Sequence, residues 1–170
     1  QIVLSKSIIE LKTELNYINF SYQTNSLQEY NISLSYQLFG KDLFSAPIIL
    51  VNHALTGNSD VSGKNGWWKN LIGENQAIDT NKYTVICFNI PGNGYDSFFI
   101  ERYEDFTPSD IASIFLKGLE ILKINSLHTI IGGSLGGGIG WEMLVKNPQL
   151  AEVFIPIACD FKTHDWLHAQ

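Results

Sequence analysis

Residues 129–140 read Thr129-Ile130-Ile131-Gly132-Gly133-Ser134-Leu135-Gly136-Gly137-Gly138-Ile139-Gly140. An apolar β-branched run enters a turn of small residues with one serine at its centre, and a helix-compatible segment leaves it. The order Gly-x-Ser-x-Gly fits a sharp strand-to-helix elbow. Such a turn holds the serine in a strained conformation and brings the helix against the strand, where larger neighbours would clash. The hydroxyl then projects from the carboxyl end of the strand, beside a helix N-terminus whose free N–H groups favour developing negative charge. Ser134 is therefore the candidate nucleophile, and the Leu135 backbone N–H a candidate oxyanion donor. A phosphate-cradling loop would end in Gly-Lys-Ser/Thr, which is absent. A dinucleotide fingerprint belongs after the first parallel strand and not this late in the chain.

Outward from the elbow, Ile48-Ile49-Leu50-Val51 and Thr84-Val85-Ile86-Cys87-Phe88 are continuous apolar runs, and Thr129-Ile130-Ile131 and Val153-Phe154-Ile155 are shorter versions. Such runs predict strands covered on both faces, as in a parallel α/β layer. Upstream, Leu15 to Thr24 partly alternates, Asn25-Ser26 reads as a turn, and Asn31 to Phe39 puts Ile32, Leu34, Tyr36 and Leu38 on one face. This predicts an antiparallel hairpin or meander at one sheet edge. Thr107-Pro108-Ser109-Asp110 supplies a cap hydroxyl, proline at the first helical position and an acid three residues on. Ile111, Ile114, Phe115, Leu119 and Leu122 then recur at helical spacing. A second helix runs from Leu135 to Lys146 and stops at Asn147-Pro148. The expected order is β-β-β-(short helix)-β-α-β-α-β, an α/β fold with a mostly parallel sheet and an antiparallel N-terminal edge.

The 170 residues suffice for one sizeable core. A net charge of −6 without a Lys/Arg run argues against a nucleic-acid partner. No apolar stretch approaches the roughly 20 residues that span a bilayer, so no membrane association is expected. Cys87 and Cys159, each in an apolar run, read as buried core residues and not as a disulfide framework, and a cytoplasmic home follows. The four histidines are dispersed without metal-ligand spacing. His164 and His168, four residues apart beside one aspartate, read as solvated surface, so no metal is expected. His128, just before a strand, reads as structural.

Asn52-His53-Ala54-Leu55-Thr56-Gly57 follows the first fully apolar strand, where the Leu55 N–H is the candidate second oxyanion donor. His53 precedes the serine in the chain and reads as a brace of this loop, since a triad histidine of this arrangement follows its serine. Trp67 and Trp68 come after the flexible stretch Gly57 to Gly66. Such a pair ordinarily packs, but beside an active-site mouth it could wall an acyl pocket.

Together these segments resemble the homoserine O-acetyltransferases, acyltransferases of the α/β-hydrolase fold. The resemblance is carried by His53-Ala54-Leu55-Thr56-Gly57, Gly66-Trp67-Trp68, Leu71-Ile72-Gly73, Ala77-Ile78-Asp79-Thr80, Phe106-Thr107-Pro108-Ser109-Asp110 and Gly132-Gly133-Ser134-Leu135-Gly136-Gly137. It implies an enzyme that moves an acetyl or other short acyl group from acyl-CoA to the hydroxyl of L-homoserine, in methionine biosynthesis. Ser134 would carry the acyl group, with Leu55 and Leu135 as oxyanion donors. Acetyl-CoA is then a co-substrate and no cofactor is bound. The pattern departs at Leu135, where the family usually has Met, and at Asn89-Ile90-Pro91-Gly92-Asn93-Gly94-Tyr95-Asp96-Ser97, where the family has a Gly-Gly-Cys-containing loop ending in Gly-Ser-Thr-Gly-Pro. An ester or thioester hydrolase is the alternative, and a non-enzymatic binding domain a third reading.

The expected layout is an arm and edge strand over 1–27, the N-terminal part of the hydrolase core over 28–160, and the start of a lid helix over 161–170. The resemblance implies that the triad acid and histidine come later than the lid, so that this stretch alone is inactive and ends before the last strands. A self-contained triad would instead use Asp160 with His164 or His168. Uncovered apolar faces make a homodimer the candidate assembly.

Overall fold

The computed structural model describes residues 14–162. It opens with strands β1 (Asn16–Gln23) and β2 (Glu29–Gly40), antiparallel, with Ile18 opposite Leu34 and Phe20 opposite Ile32. Strand β3 (Ile48–Asn52) follows, then two short strands, β4 (Ile72–Gly73) and β5 (Ile78–Asp79), which pair with each other apart from the main sheet. Next come β6 (Thr84–Phe88), helix α1 (Pro108–Ile121), β7 (Leu127–Gly133), helix α2 (Leu135–Lys146) and β8 (Ala151–Ile157). The main sheet runs β1-β2-β6-β3-β7-β8. Strands β1 and β2 are antiparallel to their neighbours, while β6, β3, β7 and β8 are mutually parallel. This is the α/β order expected from the sequence.

Alternation inside the continuous runs explains how both sheet faces are filled. Ile48, Leu50, Ile86 and Phe88 join Ile111, Ile114, Phe115, Ile139 and Met143 beneath the two helices. Their neighbours Ile49, Val51, Val85 and Cys87 point the other way and meet Val61, Ile72 and Trp68. Helix α1 begins with a reciprocal capping box, in which Asp110 N–H donates to Thr107 Oγ1 at 3.2 Å and Thr107 N–H donates to Asp110 Oδ2 at 2.9 Å. The same carboxylate accepts from Asn25 N–H (2.8 Å) and the Tyr22 hydroxyl (2.9 Å), tying the hairpin turn to the helix.

Three expectations are corrected. The short helix placed between the third and fourth strands does not form. Residues 53–83 make turns and the β4–β5 pair instead, and several glycines there disfavour a helix. Strand β8, expected to be covered on both faces, is the edge of the sheet, with Val153, Ile155 and Ile157 each 40–43% exposed. A short apolar run does not distinguish a central strand from an edge strand. Cys87 is buried as expected, but Cys159 is only partly so, because it follows that edge strand. The expected lid segment lies outside the described residues apart from Phe161 and Lys162, and His164 and His168 lie wholly outside them. Among the described residues, no helix is long and apolar enough to cross a membrane.

Candidate active site

Ser134 joins β7 to α2 with φ 50° and ψ −121°, and it is exposed. A non-glycine residue at positive φ outside the usual wells costs roughly 1–3 kcal/mol and persists only where its surroundings impose it. Here they do so. Its N–H donates to Ile157 O on β8 at 2.9 Å, and its carbonyl accepts from Gly137 N–H (3.0 Å) and Gly138 N–H (3.1 Å). The serine side chain makes no cap bond to the helix, which leaves the hydroxyl available. Close packing explains the motif glycines. A Cβ on Gly132 would strike the Gly136 backbone, and one on Gly136 would strike the carbonyls of Asn52 and His53. Gly133 has open space around it, so no clash demands glycine there.

The two candidate donors come from adjacent strand ends. Strand β3 pairs with β7, with Asn52 opposite Gly132. Beyond Asn52 the chain closes a turn in which Gly57 N–H donates to Ala54 O at 2.9 Å. Leu55 lies inside that turn, its side chain 73% exposed and its N–H outside the turn's closing bond. Leu135 opens α2, where the first N–H groups have no partner within the helix.

His53 is 1% exposed and holds this loop in place. Its Nε2 accepts from Ile90 N–H at 3.0 Å, so the ring proton sits on Nδ1, which donates to Ala54 O at 2.7 Å. Burial lowers its pKa to about 4, against a smaller opposing effect of the Ala54 bond. The imidazole is neutral with both nitrogens engaged. It is a brace between the loops after β3 and β6.

Beneath those loops lies a polar network that the sequence reading missed. Asn89 Nδ2 donates to Ser35 Oγ (2.8 Å) and Ser59 Oγ (2.9 Å), and its Oδ1 accepts from Ser59 N–H (2.8 Å) and Asn93 Nδ2 (3.2 Å). Ser59 Oγ donates to Gln37 Oε1 at 2.6 Å, and Ser35 Oγ donates to the Asp96 carboxylate. Ser35 and Gln37 alternate with apolar residues, and both are buried because β2 is an inner strand whose second face these loops cover. The only sequence signal was Asn89 itself, a polar residue directly continuing a fully apolar strand.

The tryptophans divide. Trp68 packs on the core, while Trp67 is 38% exposed, with its ring 4.6 Å from that of Trp68 and its Nε1–H donating to Asn58 O at 2.9 Å. Nearby, burial raises the pKa of Asp60. Burial, followed by the charge of Asp60, raises that of Tyr95. Burial pushes the Cys87 thiol well up, so it is inert.

An exposed serine strained at a strand–helix elbow, over a mainly parallel sheet with antiparallel strands at one edge, defines a class. Residues 47–154 match the alpha/beta hydrolase fold family, and the chain belongs to it. Within it the chain is similar to homoserine O-acetyltransferases. The enzyme of that name from Pelagibacter ubique (strain HTCC1062) is 34% identical over 148 residues, covering 76% of this chain and 40% of the relative. The crystal structure of homoserine O-acetyltransferase from Staphylococcus aureus superposes with a TM-score of 0.79 at 26% identity, covering 92% of this chain and 50% of that one. The crystal structure of the L374D mutant of esterase E22, at 23% identity and a TM-score of 0.83 over 92% of this chain and 50% of that one, shares the fold. The chain thus spans about two-fifths to half the length of these proteins.

Proposed function

We propose that the full-length protein is an acyltransferase that passes an acetyl or other short acyl group from acyl-CoA to the hydroxyl of L-homoserine, with Ser134 carrying the acyl group between them. The observation that carries this reading is the elbow itself: Ser134 exposed at φ 50° between Gly132 and Gly136, neither of which admits a side chain. The Leu55 and Leu135 amides stabilise the oxyanion formed when Ser134 Oγ attacks the thioester carbonyl. That attack breaks the C–S bond and expels CoA as its thiol, which carries the serine's proton away. The acceptor hydroxyl then attacks the acyl-serine, its own proton returning to Ser134 Oγ as the ester bond to the serine breaks. Trp67 borders the acyl pocket, with Trp68 packed behind it. The acceptor follows from the similarity to homoserine O-acetyltransferases. A methionine-biosynthetic role in the cytoplasm follows from the same reading.

The rewritten loop 89–97 favours a second reading, ester or thioester hydrolysis by the same serine, because it stands at the carboxyl end of β6, where acceptors bind. CoA release from acetyl-CoA, measured with and without homoserine, separates the two. Release that rises with homoserine and yields O-acetylhomoserine supports transfer; release that ignores homoserine supports hydrolysis. A fluorophosphonate probe labels the wild type and not Ser134→Ala; absence of labelling in both would remove the serine mechanism.

A further inference from the structure

Strand β3 delivers the loop that follows it to the elbow. Asn52 pairs with Gly132, and the Asn52 and His53 carbonyls lie so close to Gly136 that a Cβ there would strike both. The Leu55 amide, two residues on from His53, therefore stands at the same end of the sheet as Ser134 and Leu135. Whether it can meet a developing oxyanion depends on the direction in which it points.

That direction belongs to one peptide plane. The Ala54 carbonyl and the Leu55 N–H are the two ends of one trans peptide, so they point in opposite directions. The Ala54 oxygen accepts twice, from His53 Nδ1–H at 2.7 Å and from Gly57 N–H at 2.9 Å. The Gly57 bond closes the turn, and the His53 bond ties it to the body of the protein, since His53 is 1% exposed. With its carbonyl drawn to the buried ring, the peptide turns the Leu55 N–H away from that ring. No described residue accepts from this N–H.

The imidazole is itself held from its far side. Ile90 N–H donates to Nε2 at 3.0 Å, which keeps the ring proton on Nδ1 and the Nδ1 edge turned to Ala54. Gly57 packs on the stem of the same side chain. A Cβ there would meet His53 Cβ at 2.9 Å and Ala54 O at 3.3 Å, so glycine lets the turn close over the histidine. Neither ring nitrogen is left over for proton transfer, and orientation is what this buried side chain can supply.

We infer that His53 is a positioning residue for acyl transfer: by holding the Ala54 carbonyl it aims the Leu55 N–H at the oxyanion. This rests on the acyl-serine reading above and adds to it the side chain that orients one of the two amides.

The test uses the full-length protein, His53→Gln and His53→Asn. The glutamine Oε1 stands in for Nε2 and keeps an acceptor for Ile90 N–H, but leaves Ala54 O without its side-chain donor. The asparagine Nδ2 stands in for Nδ1 and keeps that donor. Single-turnover CoA release at saturating acetyl-CoA gives the rate constant for acylation of Ser134, which is indifferent to the fraction of variant that folds. His53→Gln is expected to lower it about 10- to 100-fold, part of what a missing oxyanion donor costs, with the half-saturating acetyl-CoA concentration unchanged. His53→Asn is expected to recover most of the rate. Equal losses in the two variants, an unchanged rate constant in His53→Gln, or a change confined to half-saturation overturns the proposal. If the wild type releases no CoA, the transferase reading has failed separately. The burst of p-nitrophenolate from p-nitrophenyl acetate, whose attack by the serine forms the same kind of oxyanion, then decides His53 by the same comparison. A wild type that gives no burst either overturns the proposal.

Discussion

Ser134 and His53 show opposite uses of one residue. Ser134 is held against its own preference, and replacing it by glycine removes that penalty without touching its neighbours. Ser134→Gly should therefore raise stability by about 1 kcal/mol in urea unfolding while abolishing fluorophosphonate labelling. Ser134→Ala should lose the labelling with no such gain. A destabilised glycine variant would show that positive φ is not strained here. His53 is held neutral. Its folded pKa of about 4 lies below the ordinary 6.5, so the unfolded chain binds more protons between those values. The stability it contributes is complete above pH 6.5 and is lost as pH falls towards 4, by an amount of order 3 kcal/mol. Unfolding curves at pH 7 and pH 4.5 should diverge in the wild type and much less in His53→Gln. Equal pH dependence in both would assign the loss to other groups.

At the scale of elements, Asp110 joins helix α1 to the β1–β2 hairpin. Burial alone would raise its pKa, but hydrogen bonds from the Thr107 hydroxyl and N–H, Asn25 N–H and the Tyr22 hydroxyl outweigh it and hold the carboxyl below its usual value. Asp110→Ala leaves the Asn25 and Thr107 N–H groups and the Thr107 and Tyr22 hydroxyls without their acceptor, so a loss of about 2 kcal/mol is expected. Thr107→Ala, which removes only the cap, should cost about 1 kcal/mol. Similar losses from the two would mean that the hairpin contacts contribute little. The capping box was legible in the sequence because Thr107, Pro108 and Asp110 act within one turn. The tie to Asn25 was not, being a contact across 85 residues. The same distinction governs the site. The elbow was legible because backbone geometry demands small residues within five or six positions. Ser35, Gln37 and Asn89 were not, because their contacts arise where β2, β6 and the loop after β3 lie side by side.

Among the described residues the sheet of the whole molecule ends in two edge strands of different character, β1 and β8. At β1 the hairpin is pinned to α1. At β8 the outer backbone edge has no strand partner among the described residues, and Val153, Ile155 and Ile157 alternate along one exposed face. An unpaired edge carrying an apolar face is a template for another strand, and proteins that keep such edges soluble usually place a charge on them. Glu152 is a charge on this strand but sits at its start, away from Ile155 and Ile157. The 170-residue chain expressed alone is therefore expected to self-associate with rising concentration, and Ile155→Lys to shift it towards monomer in size-exclusion chromatography and sedimentation. The substitution leaves the helix-covered core untouched, since Ile155 lies outside both buried clusters. Its thermal midpoint should stay close to wild type. A monomeric wild-type chain at high concentration, or association unaffected by lysine at 155, would locate the adhesive surface elsewhere, with the exposed rings of Phe99 and Tyr103 the next to test.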